Sequence, residues 1–505
     1  MSDRVGTRAL WIAALPLLAS PALLAFDSGG TGVSAQAVGA VVLFGLLAVC
    51  AVVAPWPLVE RSWPLWALLA LAGFGGWTAV SASWSPALGD AVNDADRMGH
   101  YFGAFFLAVV VMRAPGVRAV APDVLLWGIV VVVLYALGGR LLPDVVQVEL
   151  SSEAGDRLHQ PLTYWNAMGI LAGFGVLLAT AVAADDRRGL AYRAAACAAG
   201  VPCGLACYLT LSRASWAAVA AGLAVLLLVR PRLSAALAAW LWASATVLLV
   251  VALRAFPGAL HLDRGADAQA SDGLPVALIA IGLAALTAFA FNLTMRRREA
   301  ADAPEGGARR VLRGGLSERA RERTPEEDTT RAALPPRRGT LAAGVIAATL
   351  AAGFAVSFAS ERTEEISKGA ERVTTLKTYR GDYWRVGLES FADHPLAGVG
   401  TRGFQVEWLR EHDERVFAYD AHSLYVETLA ELGIVGFVLL AALVGTVAGG
   451  VRRRFRAVPG DPLLAACAAV LGAFAVHAGL DWDWEVPTVT LPALLLAAAA
   501  IQADT

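Results

Sequence analysis

The feature that most constrains this chain is its succession of apolar runs, each close to the ~20 residues that an α-helix needs to cross a hydrocarbon core. Fourteen can be drawn, near 9–26, 34–54, 64–83, 99–112, 119–138, 162–184, 193–211, 213–229, 234–255, 274–295, 339–358, 422–449, 462–480 and 487–502. Inside lipid every backbone polar group must be satisfied by the segment itself or by a closed barrel. Continuous runs of this length, without period-two alternation, point to helices. The expected fold is all-α, a polytopic transmembrane helix bundle of about 12–14 spans with a helical extracytoplasmic loop. Charged residues make up 17% of the chain, against about a quarter in a soluble protein. The run at 9–26, preceded by Arg4 and Arg8, reads as a first membrane helix and not as a cleaved signal.

Cys50, Cys197, Cys203, Cys207 and Cys467 all lie inside apolar runs. That placement argues against a disulfide framework and against a zinc site. Basic residues set the orientation. With the N-terminus inside, and with the long segments 296–338 and 359–421 discounted, the inner loops hold 14 Lys and Arg and the outer loops 6. The expected topology is N-in and C-in, with the 359–421 loop outside.

The chain divides accordingly into an N-terminal membrane bundle of about ten spans at 1–295 and a hydrophilic segment at 296–338. A span at 339–358, an extracytoplasmic helical loop at 359–421 and C-terminal membrane spans at 422–505 follow. The 296–338 segment is rich in Arg, Glu, Pro and Gly and is expected to be a disordered cytoplasmic linker. The 359–421 loop carries many aromatic residues. Trp384, Leu388 and Phe391 fall on one helical stripe, Pro395 should end that helix, and Phe404 and Trp408 suggest a second short one. Gly398-Val399-Gly400-Thr401-Arg402-Gly403 matches GxGxxG, but no βαβ unit surrounds it, so it reads as a glycine-permitted turn between the two helices.

Four constellations could carry chemistry. Asp420-Ala421-His422-Ser423 places an imidazole at the mouth of a span, where it either moves a proton or is simply solvated. Asp420 would orient it or cap the helix. Arg97, Arg157, Arg213, Arg380 and Arg385 flank or enter spans on the same side. Guanidinium forks suit phosphate, although any one of these arginines could instead snorkel to lipid headgroups. Arg157, His159, Tyr164 and Asn166 gather at the entrance of the sixth span. His477 and Asp481-Trp482-Asp483-Trp484-Glu485 close the chain's last outer turn. Its tryptophans read as an interfacial aromatic belt. Its DxD is set aside as a sugar-nucleotide motif, because such donors are not available outside the cell.

In this order the features resemble the O-antigen ligase/polymerase superfamily, bacterial membrane glycosyltransferases of the GT-C type that use polyprenyl-pyrophosphate-linked glycans. The resemblance rests on Ser81-Ala82-Ser83-Trp84-Ser85-Pro86 with Arg97 downstream, on Arg157 through Asn166, and on Leu209-Thr210-Leu211-Ser212-Arg213. Its most specific part is RGDYWRVGLESFADHPLAGVGTRGF followed by AHSLYVETLAELGIVG. His477 and Asp481 also fit, whereas Ser423 stands where members often have Asn.

What the resemblance implies is a lipid-linked-glycan glycosyltransferase, ligase or polymerase, independent of metal and without a cofactor. His422 would activate the acceptor, and Arg157, Arg213 and Arg380 would bind the donor pyrophosphate. Arg97, Asn166, Arg385, Asp420, His477 and Asp481 would support them. The implied partners are a polyprenyl-pyrophosphate-linked glycan donor, a glycan, lipid or protein acceptor, and membrane lipid, with no nucleic acid. The location would be the bacterial cytoplasmic (inner) membrane, with the active site facing outward. The competing expectation is a transporter or flippase for a lipid-linked or anionic substrate, which should show related halves and polar groups near mid-span. No clear internal repeat is visible, and the polar residues gather near one face.

Overall fold

The computed structural model describes residues 2–53, 59, 62–302, 380–411 and 418–502. The expected span at 339–358, the segment 303–338 and the first part of the long loop, 359–379, lie outside the described residues. So do 412–417.

Among the described residues there are sixteen α-helices and no β-strand. They are α1 (Ser2–Ala25), α2 (Val33–Val53), α3 (Trp63–Ser81), α4 (Leu88–Val111), α5 (Pro115–Leu141), α6 (Trp165–Ala183), α7 (Leu190–Leu209) and α8 (Arg213–Val229). Then come α9 (Leu233–Leu253), the short α10 (Pro257–Leu260), α11 (Ala266–Asp302), α12 (Arg380–Asp393), α13 (Phe404–Glu411), α14 (Leu424–Ala457), α15 (Pro462–His477) and α16 (Pro487–Ile501). Nine of them, α1, α2, α3, α5, α6, α7, α9, α11 and α14, are long and apolar enough to cross a membrane; α8, α15 and α16 are apolar but shorter. The protein is an all-α, multi-pass helical bundle. α11 continues to Asp302, into the first residues of the hydrophilic segment.

α4 differs from the spanning candidates because Asp90, Asp94, Asp96 and Arg97 occupy its first half. The helix begins well before the apolar run at 99–112, and this early start carries Asp94 and Arg97 into the bundle. α6 lies at the centre, buried along its whole apolar length, and packs on α5, α7, α8 and α15. Small residues allow that closeness. A Cβ at Gly169 would meet the Ser215 hydroxyl at 2.6 Å, so only glycine lets α6 pack this closely on the Ser215 side chain of α8.

α14 is interrupted at Gly433, whose φ of 63° and ψ of −164° belong to a region open essentially to glycine alone. The turn between α12 and α13 repairs the break from both sides. Val399 N and Gly400 N donate to Ala430 O and Glu431 O at 3.0 and 2.9 Å, and Trp77 Nε1 donates to Leu432 O at 3.0 Å. On the far side Ile434 N donates to Pro395 O at 2.9 Å. The His394–Gly403 turn is therefore pinned to α14, and through Ser85 Oγ, which donates to Thr401 O at 2.7 Å, to the α3–α4 corner as well.

The two ends of the bundle differ in charge arrangement. Helices α4, α6, α8, α14 and α16 begin, and α3 and α15 end, at the end that bears the α12–α13 segment. The opposite end is laced by Arg188 with Asp123 and Asp185, Arg187 with Asp185, Arg230 with Asp186, and Arg454 with Asp461. All five cysteines are buried and free.

Candidate functional site

The turn between α15 and α16 organises the polar end of the bundle. Asp481, Asp483 and Glu485 alternate with Trp482 and Trp484, and each acid serves a different set of partners. Asp481 is fully buried. It accepts from Tyr164 Oη at 2.7 Å, Asn166 Nδ2 at 2.6 Å and Arg380 Nη2 at 2.9 Å. One carboxylate thus joins the start of α6 to the start of α12. Arg380 spends one of its five N–H donors on Asp481, and among the described residues no other partner takes the rest, so its fork is oriented but not consumed.

Asp483 accepts from His477 Nδ1 at 2.6 Å, and the Ser215 hydroxyl lies 3.1 Å from His477 Nε2. This Ser–His–Asp order resembles a nucleophilic triad, but all three side chains are sealed from solvent. Ser215 Oγ donates instead to Ser212 Oγ at 2.8 Å, and Ser212 caps α8. The arrangement clamps the start of α8, where Arg213 emerges exposed, to the end of α15.

Glu485 enters the third set. Arg97 pairs with Asp94 at 2.9 Å and with Glu485 at 3.2 Å. Arg402 pairs with Asp420 at 2.5 Å and approaches Asp94 at 3.7 Å. Carboxylate oxygens of Asp420, Glu427 and Glu485 lie within 4.8 Å of one another, and Glu431 accepts from Phe404 N at 3.1 Å beside them. Five buried carboxyl groups thus face two guanidiniums. Taking that excess of negative charge out of water is expensive, and protonation relieves it. Burial, with Asp420 and Asp94 nearby and only partly offset by Arg97, pushes the Glu485 carboxyl up to about 8. Burial works against charge on Arg402 too, but Asp420 and Asp94 hold it above the usual arginine range.

His422 sits between these sets. It has φ +51°, a left-handed backbone. Its Nδ1 lies 3.1 Å from Asp420 O. A carbonyl can only accept, so this contact suits an Nδ1–H donor, and in the neutral ring of that tautomer the lone pair is on Nε2. Its ring stacks on Tyr383, with centroids 5.1 Å apart. Tyr383 is three residues from Arg380 on α12, hence on the same face. Leu424 N donates to Ala478 O at 2.8 Å, so the start of α14 is fastened beside His477.

Residues 275–441 match the family model described as O-antigen ligase. Over this segment the chain is similar to that family, which supports the resemblance to the O-antigen ligase/polymerase superfamily. A match to this family implies a glycan ligase or polymerase that works in polysaccharide assembly. The matched segment contains Arg380, Arg385, Asp420 and His422, while Arg97, Arg157, Asn166, Arg213, His477 and Asp481 lie outside it. A search of curated proteins gave no match.

The structure brings together Arg380, Asn166 and Asp481 directly. Tyr383 places His422 beside them, and the Asp483 pair places His477 there. Arg157 is exposed over the Trp165 ring at 4.7 Å, and Trp165 heads α6 one residue before Asn166. Arg97 and Asp420 belong to the buried carboxylate cluster. Arg385 stands apart, exposed and paired with Glu389 and Glu411.

Two expectations are corrected. The α12 face turned to the bundle is Tyr383, Val386, Gly387 and Ser390, while Leu388 of the expected Trp384–Leu388–Phe391 stripe is 49% exposed. Small and medium residues are needed there because Gly387 lies against Val426 of α14. Trp484 is not part of an interfacial belt: it is buried against Phe74 and Tyr101, and its carbonyl accepts from Tyr101 Oη at 2.6 Å. Trp482 stacks on Tyr164.

Residues that sequence reasoning passed over are Asp94, Arg402, Glu427 and Glu431, with Ser215. Glu427 and Glu431 carried a signal, being two acids one turn apart at the start of an otherwise apolar span.

Proposed function

We propose that this protein transfers a glycan from a polyprenyl-pyrophosphate donor to an acceptor hydroxyl at the outer face of the bacterial cytoplasmic membrane. The observation that carries it is the placement of His422, stacked on Tyr383 one helical turn from Arg380, which Asp481 orients. Both lie at the end of the bundle where α4, α6, α8, α14 and α16, among others, begin and present their positive dipole ends.

In this reading His422 Nε2 removes the acceptor O–H proton. The acceptor oxygen attacks the anomeric carbon, whose bond to the phosphate oxygen breaks. The polyprenyl pyrophosphate leaves with the bonding electron pair, and Arg380, Arg213 and Arg157 stabilise that charge. The imidazolium then gives its proton to water. The arginines supply the positive charge the leaving group needs, so no metal is required. Asn166 and Tyr164 hold Asp481, and Asp481 holds Arg380. His477 with Ser215 fixes the start of α8, while Arg97 and Asp420 fix the loop. Arg385 has a scaffolding role in the α12–α13 segment. The chain is N-in and C-in, 296–338 is a cytoplasmic linker, and 359–421 is an outer cap between the 1–295 bundle, the span at 339–358 and the spans of 422–505.

A broken helix like α14 is also the signature of transporters. Here both lips of the break are tied to the His394–Gly403 turn, which favours a fixed site over a moving gate.

The test in cells is a deletion strain complemented with wild type or His422→Ala. Lipid-linked glycan should accumulate in the deletion and the variant and disappear with wild type. Single repeat units mark a polymerase and long chains a ligase. Full complementation by His422→Ala, with the protein inserted at wild-type level, would remove His422 from the chemistry.

A further inference from the structure

We propose that Arg402 is a positioning residue for His422, fixing through Asp420 both the backbone and the tautomer of the imidazole. This rests on the transfer reading for its activity arm and is independent of it for its spectroscopic one.

Arg402 lies in the GVGTRG turn, which packs on α14 and the start of α4, and is itself left-handed at φ +61°. Its side chain is 17% exposed, so it does not serve solvent. Nη1 donates to Asp420 Oδ1 at 2.5 Å, and Nε lies 3.7 Å from Asp94 Oδ1. The turn around it is fastened independently. Thr401 Oγ1 donates to Asp94 Oδ2 at 2.7 Å, and Thr401 N donates to Ser81 Oγ at 3.1 Å. Arg402 is therefore a rigid bracket from the α3–α4 corner to Asp420.

From Asp420 the constraint passes along three residues. The Asp420 main-chain carbonyl accepts from His422 Nδ1 at 3.1 Å. Ala421 N donates to Glu427 Oε2 at 3.0 Å. Ser423 caps α14. His422, between them, adopts a backbone that a histidine visits uncommonly, and neighbours must impose it. Asp420 has two groups to hold, its carboxylate and its carbonyl; Arg402 holds the first, and that aims the second at Nδ1. Should the carbonyl turn away, Nδ1–H loses its acceptor and the proton is free to move to Nε2, which removes the Nε2 lone pair. Lysine cannot reproduce the bracket, because a single ammonium lacks the planar fork that faces two carboxylates at once.

The experiment has two arms on the full-length protein. In the first, 15N signals of the imidazole are recorded for wild type and Arg402→Lys in lipid nanodiscs. Wild type should hold neutral His422 as the Nδ1–H tautomer, and Arg402→Lys should show a mixture. A wild-type Nε2–H tautomer, or an unchanged tautomer in the variant, overturns the proposal. In the second, glycan transfer is followed in native membranes that supply their own lipid-linked glycan and acceptor, at matched protein levels. Transfer should fall roughly 10-fold in Arg402→Lys and roughly 100-fold in Arg402→Gln, as for a sub-ångström displacement of a reacting group. Equal rates in all three forms overturn it. If the Arg402 variants do not accumulate, Asp420→Asn, which keeps the carbonyl but loses the ion pair, takes their place in both arms with the same expectations. Absent transfer by wild type would count against the transfer reading alone, since the tautomer arm still decides the role of Arg402.

Discussion

At the scale of single residues, the site depends on carboxylates that hold cations in place. Asp481 is the clearest case, with Tyr164, Asn166 and Arg380 converging on it. Asp481→Asn keeps the shape but replaces a carboxylate acceptor with an amide that must turn an NH2 toward one donor. Transfer should fall by about 10- to 100-fold, the effect of a misplaced binding group, while insertion and expression persist; initial rates in native membranes would check it. Glu485 gives a pH dependence. Its carboxyl is raised from 4.5 to about 8 in the folded protein. Between those values the unfolded chain has lost the proton and the folded one keeps it, so stability falls as pH rises through this window. The melting temperature in detergent should decline from pH 5 toward pH 8, and Glu485→Gln, a neutral isostere of the protonated acid, should flatten that decline. A wild-type curve that rises over the same window would contradict the assignment.

At the scale of elements, the long loop and α14 form one unit joined at Gly433. A methyl group there would lie 2.4 Å from Leu396 O, on a backbone that non-glycine residues avoid. Gly433→Ala should cost about 1–3 kcal/mol or more, read as a lower melting temperature and as faster proteolysis of the 380–423 region. The helices themselves were legible in the sequence: each apolar run on the described residues corresponds to a helix, because spanning length and periodicity are local properties. Pro395 and the glycines of GVGTRG also marked the end of α12 and the turn before α13. What was not legible was which face of α12 would be buried. The apolar stripe through Leu388 suggested one answer, but packing against α14 requires Gly387 and Ser390 at the contact, and that requirement comes from the partner helix. The alternating acids 481, 483 and 485 were likewise visible as a cluster, while their three separate sets of partners were not, since those lie at or on α6, α12, α15 and α4.

At the scale of the whole molecule, one end of the bundle gathers the candidate site residues and the opposite end is tied by Arg187, Arg188, Arg230 and Arg454 to acidic partners. Because all five native cysteines are buried, single exposed cysteines can report sidedness. In intact cells a membrane-impermeant maleimide should label Glu153→Cys and leave Arg452→Cys unlabelled until the membrane is opened; the reverse pattern would invert the proposed topology. The central claim is that His422 and the arginines around it perform transfer, with the new glycosidic bond made at this end. It is tested most directly with purified protein in nanodiscs, given a labelled polyprenyl-pyrophosphate glycan and acceptor-bearing membrane extract, by following the new bond and the released polyprenyl pyrophosphate together. Both products should appear in equal amounts with wild type and should fall by about 10²–10⁴-fold with His422→Ala, the range for removing a general base. Movement of the lipid-linked glycan across the bilayer with no bond formed, or undiminished transfer by His422→Ala, would contradict it.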